Sequence, residues 1–133
     1  MKKSPSHLTA AAEAFLAEPH LATLTTFRPD GSPHVAPVRF TWDGHARLAR
    51  VMSVGSRRKA TNVEAHPDRQ IALCQVVGFR WITLEGTAMV FNDRSRIAEG
   101  TRRYAQRYSS SPPTPSGLVV IEIAVDRVME LNN

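Results

Sequence analysis

The segment Val51-Met-Ser-Val-Gly-Ser-Arg-Arg-Lys-Ala-Thr-Asn62 concentrates more chemistry than any other stretch of the chain. Gly55 and Ser56 suit a corner between a strand and a helix, with Ser56 a candidate N-cap. Arg57, Arg58 and Lys59 then fall in the first turn of the expected helix. Cations there oppose the helix dipole, at a cost of about 0.3–1 kcal/mol each. A bound anion reverses that sign, because free N–H groups, dipole and cations would converge on one phosphate or carboxylate. The alternative is a solvated basic turn whose dipole penalty is screened by salt.

Other chemistry-bearing residues are dispersed. His7, His20, His34, His45 and His66 show no close ligand spacing, so no metal site is expected. Ser53, Ser56 and His34 can be drawn as a nucleophile and its base, but no nucleophile elbow surrounds either serine. Cys74, within the apolar run Ile71–Gln75, is expected to be a buried core thiol. Glu85 and Glu122 lie within expected strands and should face outward or be paired. Trp81 is placed either as the wall of a pocket or in the core. Arg39 points either to solvent or into a cleft. An anion cradle without a nucleophile, metal or acid–base pair implies that a cofactor carries the reactivity.

These residues need elements to position them. Leu8–Glu18 has apolar residues at helical spacing, and Pro19 stops the helix. His20–Phe27 alternates as a strand, Arg28–Ser32 is a turn, and Val35–Trp42 is expected to return as one strand. Asp43-Gly44 is a hairpin signal leading into a strand over Ala46–Val54. A helix over Arg57–Ala65 follows, then strands at Gln70–Val77 and Arg80–Asn92. Asp93 is a plausible N-cap for a helix to Tyr108. Ser109–Ser116 is a Ser/Pro loop, and Leu118–Leu131 a long β-branched strand. About six hairpin-connected strands with three short helices predict a mainly β fold, an antiparallel barrel with peripheral helices.

Composition bounds what such a fold can serve. The chain has 133 residues, 42% hydrophobic and 22% charged, which suits one globular domain over 1–133 with a polar, flexible start at 1–7. A single cysteine excludes a disulfide scaffold. No apolar run reaches the roughly 18 residues of a membrane span. No secretory signal is evident either, so a cytoplasmic protein is expected. The balance of 17 Lys+Arg against 12 Asp+Glu gives a net charge of +5. Aromatic content of 7% and scattered basic residues argue against nucleic acid. Arg102, Arg103 and Arg107 cluster on the last helix, as a solvated face or part of an anionic-ligand groove.

Nearly the whole chain resembles the pyridoxamine-phosphate-oxidase-like split β-barrel superfamily. The resemblance is carried by Ala22-Thr-Leu-Thr-Thr26, Asp30-Gly-Ser-Pro-His-Val-Ala-Pro-Val38 and Gly55-Ser-Arg-Arg-Lys-Ala-Thr-Asn62. Pro67-Asp-Arg-Gln-Ile-Ala-Leu73 and Trp81-Ile-Thr-Leu-Glu-Gly-Thr-Ala88 continue it. Within the superfamily it is most similar to the deazaflavin (coenzyme F-420)-dependent branch. Arg80-Trp-Ile-Thr-Leu-Glu-Gly86 and Tyr104-Ala-Gln-Arg-Tyr108 look like the biliverdin-reducing members.

The resemblance implies a homodimer with cofactor sites at the subunit interface. It places Ser53, Arg57, Arg58, Lys59 and Asn62 around the cofactor's phosphate and anionic tail. Met52, Ser53 and the Pro37-Val38-Arg39 stretch would touch the tricyclic ring, with Trp81 also at the cofactor and Arg39 meeting a carboxylate of the substrate. Flavin-using relatives have a polar residue where Trp81 aligns and a C-terminal substrate-binding extension, whereas this chain stops at Asn133. Pyridoxamine phosphate is therefore not the expected substrate. The expected activity is hydride transfer from reduced F-420 to a conjugated acceptor, biliverdin. An FMN-dependent reductase and a non-catalytic tetrapyrrole-binding protein are the alternatives.

Overall fold

The computed structural model describes residues 8–131. The segment 1–7, expected to be flexible, lies outside these residues. In chain order the elements are α1 (Ala10–Ala17), β1 (Ala22–Phe27), β2 (Pro33–Val38), β3 (Thr41–Asp43) and β4 (Leu48–Val54). They continue with α2 (Arg58–Ala65), β5 (Ile71–Val77), β6 (Arg80–Phe91), α3 (Arg94–Tyr108) and β7 (Leu118–Glu130). The fold is mainly β with short peripheral helices, as expected.

All seven strands pair antiparallel in one sheet of order β2-β1-β5-β6-β7-β4-β3. β2 and β3 are the two edges, yet only Arg39 and Phe40 separate them in the chain. Three chain steps from Val38 to Thr41 reach roughly 11 Å, whereas a flat seven-strand sheet is roughly 29 Å across. The sheet must therefore roll up, with a split where no ladder joins β2 to β3. Strand alternation fills the inside of that roll. Leu24, Leu73, Leu84 and Val128 lie side by side across β1, β5, β6 and β7, all essentially buried. Each such side chain contributes about 1.5–3 kcal/mol of burial.

Three local expectations are corrected. Val35–Trp42 is two strands rather than one. At the break, α3 side chains replace ladder partners: the Phe40 amide donates to the Tyr108 hydroxyl at 3.0 Å, and Arg107 donates to the Phe40 carbonyl. The hairpin signalled by Asp43-Gly44 forms, but β4 starts at Leu48 rather than Ala46, and the left-handed residue of the reversal is Arg47 (φ 58°). An Asp43 carboxylate oxygen organises that loop by accepting the Ala46 amide at 3.1 Å. Cys74 is not in the core; β5 turns its odd residues inward, leaving Cys74 half-buried on the outer face beside Thr23 and Thr83.

α3 is fixed to the sheet by charge and by one close approach. Arg50 pairs with Asp43 at 3.1 Å and with Glu122 at 3.5 Å, and Arg103 reaches Asp43 at 3.0 Å. Glu85 pairs with Arg127 at 3.5 Å, so both strand glutamates are paired, as expected. Gly100 packs on β4 so tightly that a Cβ there would lie 2.6 Å from Met52 Sδ. Gly86, at the β6 bulge, is likewise obligatory: its Cβ would meet the Ala124 carbonyl oxygen at 1.9 Å.

Candidate functional site

A cleft of about 350 Å³ lies among the end of β2, β4, the start of α2, α3 and the loop before β7. Pro37, Val38 and Arg39 enter it from β2 and its exit, Met52 and Ser53 from β4, and Arg57 and Lys59 from the start of α2. These residues are far apart in sequence and were expected together. Arg58, Asn62 and Trp81 do not line this cleft. Arg58 is exposed. Asn62 is a buried strut, its amide donating to the Thr26 hydroxyl at 3.0 Å and tying α2 to β1. Trp81 lies in a separate cleft beside Phe15 and Arg80. Asn62 and Trp81 therefore lie apart from the residues that the structure brings together in this cleft.

The start of α2 differs from the expected cap. Arg57, not Ser56, is the N-cap, and it makes no side-chain capping bond. No acidic residue occupies the first turn. Among the described residues, Arg57, Arg58 and Lys59 make no ion pair. Burial, with Arg57 beside it, holds the Lys59 ammonium below the usual lysine range. His34, on β2, is also pushed down, first by burial and then by Arg28, Lys59 and Arg58. This end of the cleft is an unneutralised positive site beside uncapped helix amides, which is the electrostatic requirement for an anion.

The rest of the cleft is apolar with one fixed cation. Arg39 donates to the Tyr104 hydroxyl at 2.9 Å, and its guanidinium lies 4.8 Å from the Tyr108 ring centre. No nucleophile–base pair forms: the Ser53 hydroxyl donates to the Val54 carbonyl at 3.5 Å rather than to His34. Among the described residues no group of His, Cys, Asp or Glu could hold a metal.

Sequence reasoning missed the far wall. Tyr104, Pro112, Pro113, Pro115 and Leu118 also line the cleft. The prolines came from a segment marked only as loop. Their clustering was the available signal, since proline offers a rigid apolar surface without N–H groups. Tyr104 and Tyr108 stand one helical turn apart, ring centres 5.1 Å from each other.

Comparison with known proteins agrees with this geometry. The pyridoxamine 5'-phosphate oxidase family model matches residues 8–132. An F420H(2)-dependent biliverdin reductase from Mycobacterium tuberculosis is 43% identical over 129 residues, covering 97% of this chain and 92% of that protein. The structure of an F420 reductase superposes with a TM-score of 0.74 at 24% identity, covering 92% of this chain and 98% of that one. A heme storage protein from Vibrio cholerae shares the fold at TM-score 0.73 and 15% identity, covering 92% and 93%. The split-barrel fold is therefore shared across these proteins, and no helix here is long and apolar enough to cross a membrane. With nearly all of its length matched by the family model, the chain belongs to the pyridoxamine 5'-phosphate oxidase family.

Proposed function

We propose that this protein is a deazaflavin-dependent reductase that uses reduced coenzyme F-420 to reduce a conjugated acceptor, biliverdin. The observation that carries it is the pair of unneutralised cations, Arg57 and Lys59, at one end of an apolar cleft in a chain so similar to an F420H(2)-dependent biliverdin reductase. The residues fit such a cofactor. Its phosphate and acidic tail suit cations that no carboxylate among the described residues neutralises, and its flat ring suits Pro37, Val38 and Met52. When bound, the reduced deazaflavin supplies the hydride.

The protein's part is positioning and electrostatics. Arg57 and Lys59 anchor the anionic end, with Arg58 serving the outer tail from the exposed turn. Met52 is held at its depth by Gly100. The wall of Pro112, Pro113 and Pro115 narrows solvent access. Arg39, braced by Tyr104 and Tyr108, is oriented to receive a carboxylate of the acceptor.

The same reading includes a homodimer. The outer face of β2, β1, β5 and β6 carries exposed Val35 and Val76, with Met129 of β7 and half-buried Trp81 beside them. Pro37 belongs to this face through its pairing with Thr23, and it also lines the cleft. A second copy on this face would seal the cleft and bring Trp81 to the interface.

Mixing the protein with reduced F-420 and biliverdin tests the reaction. Loss of biliverdin absorbance in proportion to enzyme is expected, and no loss at saturating cofactor would refute the assignment. Tight FMN binding with weak F-420 binding would replace the cofactor by FMN.

A further inference from the structure

A second cleft, of about 240 Å³, lies between α1, β3 and α3. Leu16 and Trp42 form its apolar wall, and Thr41, Arg103 and Arg107 its polar one. It sits on the other side of α3 from the cofactor cleft, which receives Tyr104 instead.

The two arginines are not equivalent. Arg103 is neutralised by Asp43 at 3.0 Å and Glu99 at 2.7 Å. Arg107 has only neutral acceptors: the Phe40 and Glu18 carbonyls and the Gln75 side-chain oxygen, the last at 2.7 Å. It makes no ion pair among the described residues, and its Nε–H is buried without an acceptor. Thr41 is 5% exposed, and its hydroxyl is also buried without a partner. The Glu13 carboxylate is engaged by the Trp42 indole N–H at 3.0 Å, and that of Glu18 by His20 and Arg80, each at 2.8 Å. Buried charges are normally compensated by a counter-charge, and buried hydroxyls by a hydrogen bond. Here a half-buried cation lacks a counter-charge and a buried hydroxyl lacks a hydrogen bond, both in residues that line one cleft.

We propose that this cleft binds a small monocarboxylate with an apolar body. The carboxylate would accept from Arg107 and Thr41, and the body would lie on Leu16 and Trp42. A single negative charge is specified because a single cation lacks its counter-charge.

Benzoate and neutral benzamide, titrated into the full-length protein, are suitable probes. The indole N–H resonance of Trp42 reports this cleft, and that of Trp81, in another cleft, is the internal reference. Benzoate should shift Trp42 saturably and leave Trp81 unmoved, with benzamide at least about tenfold weaker. Thr41→Val deletes an unsatisfied hydroxyl, so it should fold at least as stably while weakening benzoate roughly tenfold. Arg107→Gln should abolish the shift; where that variant fails to fold, Thr41→Val alone carries the test. Absence of a saturable Trp42 shift, equal affinity for benzamide, or unchanged affinity in Thr41→Val would each overturn the proposal.

Discussion

Two short basic segments of this chain are alike in composition and opposite in electrostatic state. At the start of α2, Arg57, Arg58 and Lys59 have no carboxylate partner among the described residues. On α3, Arg96, Arg102 and Arg103 are each paired, with Asp93 and Glu122, with Glu99, and with Glu99 and Asp43 respectively. The second set is consumed by carboxylates of α3 and its N-cap and, through Arg96 and Arg103, by carboxylates of the sheet. The first is left over, at the mouth of an apolar cleft. Positive charge marks a ligand site where the fold fails to neutralise it, not simply where it is dense.

The largest expected effect lies on the neutralised side. Asp43 is only 9% exposed at its side chain and accepts from both Arg50 and Arg103. Asp43→Asn removes the carboxylate that Arg50 and Arg103 share, leaving Arg50 only Glu122 and Arg103 only Glu99, and urea unfolding should show a loss of about 3 kcal/mol. On the α2 side the sign is reversed. The double variant Arg57→Gln, Lys59→Gln should be no less stable without cofactor, because it removes cations that oppose the helix dipole. It should nevertheless weaken F-420 binding roughly a hundredfold, as read by titration.

Acid and alkali should separate the two regions next. Bonds from Arg102 and then Arg103 hold Glu99 at about 2. Asp43 is also lowered: burial opposes this, but the Ala46 amide, Arg50 and Arg103 prevail. Both carboxyls lie below their unfolded values of roughly 4. Their stabilisation is therefore complete above about pH 5 and is lost as pH falls toward 2. Melting temperature should drop over that window, and less steeply in Glu99→Gln. Lys59 is depressed instead, so it loses its proton at lower pH than an ordinary lysine. Cofactor affinity should fall on the alkaline side before ordinary lysine titration, and Lys59→Gln should abolish that limb. The smallest effect belongs to Arg58→Gln, which lies outside the cleft and should change affinity about twofold.

Much of this contrast was visible in the sequence. Arg57, Arg58 and Lys59 stood out because cations at a helix start are anomalous, and the strand–Gly-Ser–helix context put that start within one residue, at Arg58 with Arg57 as N-cap. The strand pattern revealed the barrel because period-two burial is local information. The resemblance set Asn62 beside the cofactor's phosphate, a role that says nothing of the bond its amide donates inward to Thr26 on β1. Cys74 looked apolar by neighbourhood, but its parity in β5 faces it outward. The break at Arg39–Phe40 was hidden because its cause is distant: Tyr108 and Arg107 satisfy that backbone from 68 and 67 residues away. The proline wall was unreadable for the same reason, since a loop acquires a role only through what it faces.

The central claim is that unpaired cations at α2, rather than basic residues in general, hold an anionic cofactor. Parallel titration of F-420 against the unsubstituted protein, Lys59→Gln and Arg102→Gln tests it directly, since each variant removes one positive charge. Lys59→Gln should weaken binding about tenfold or more while Arg102→Gln leaves it unchanged. Equal losses in the two variants, or a Lys59→Gln affinity within about twofold of the unsubstituted protein, would contradict the account.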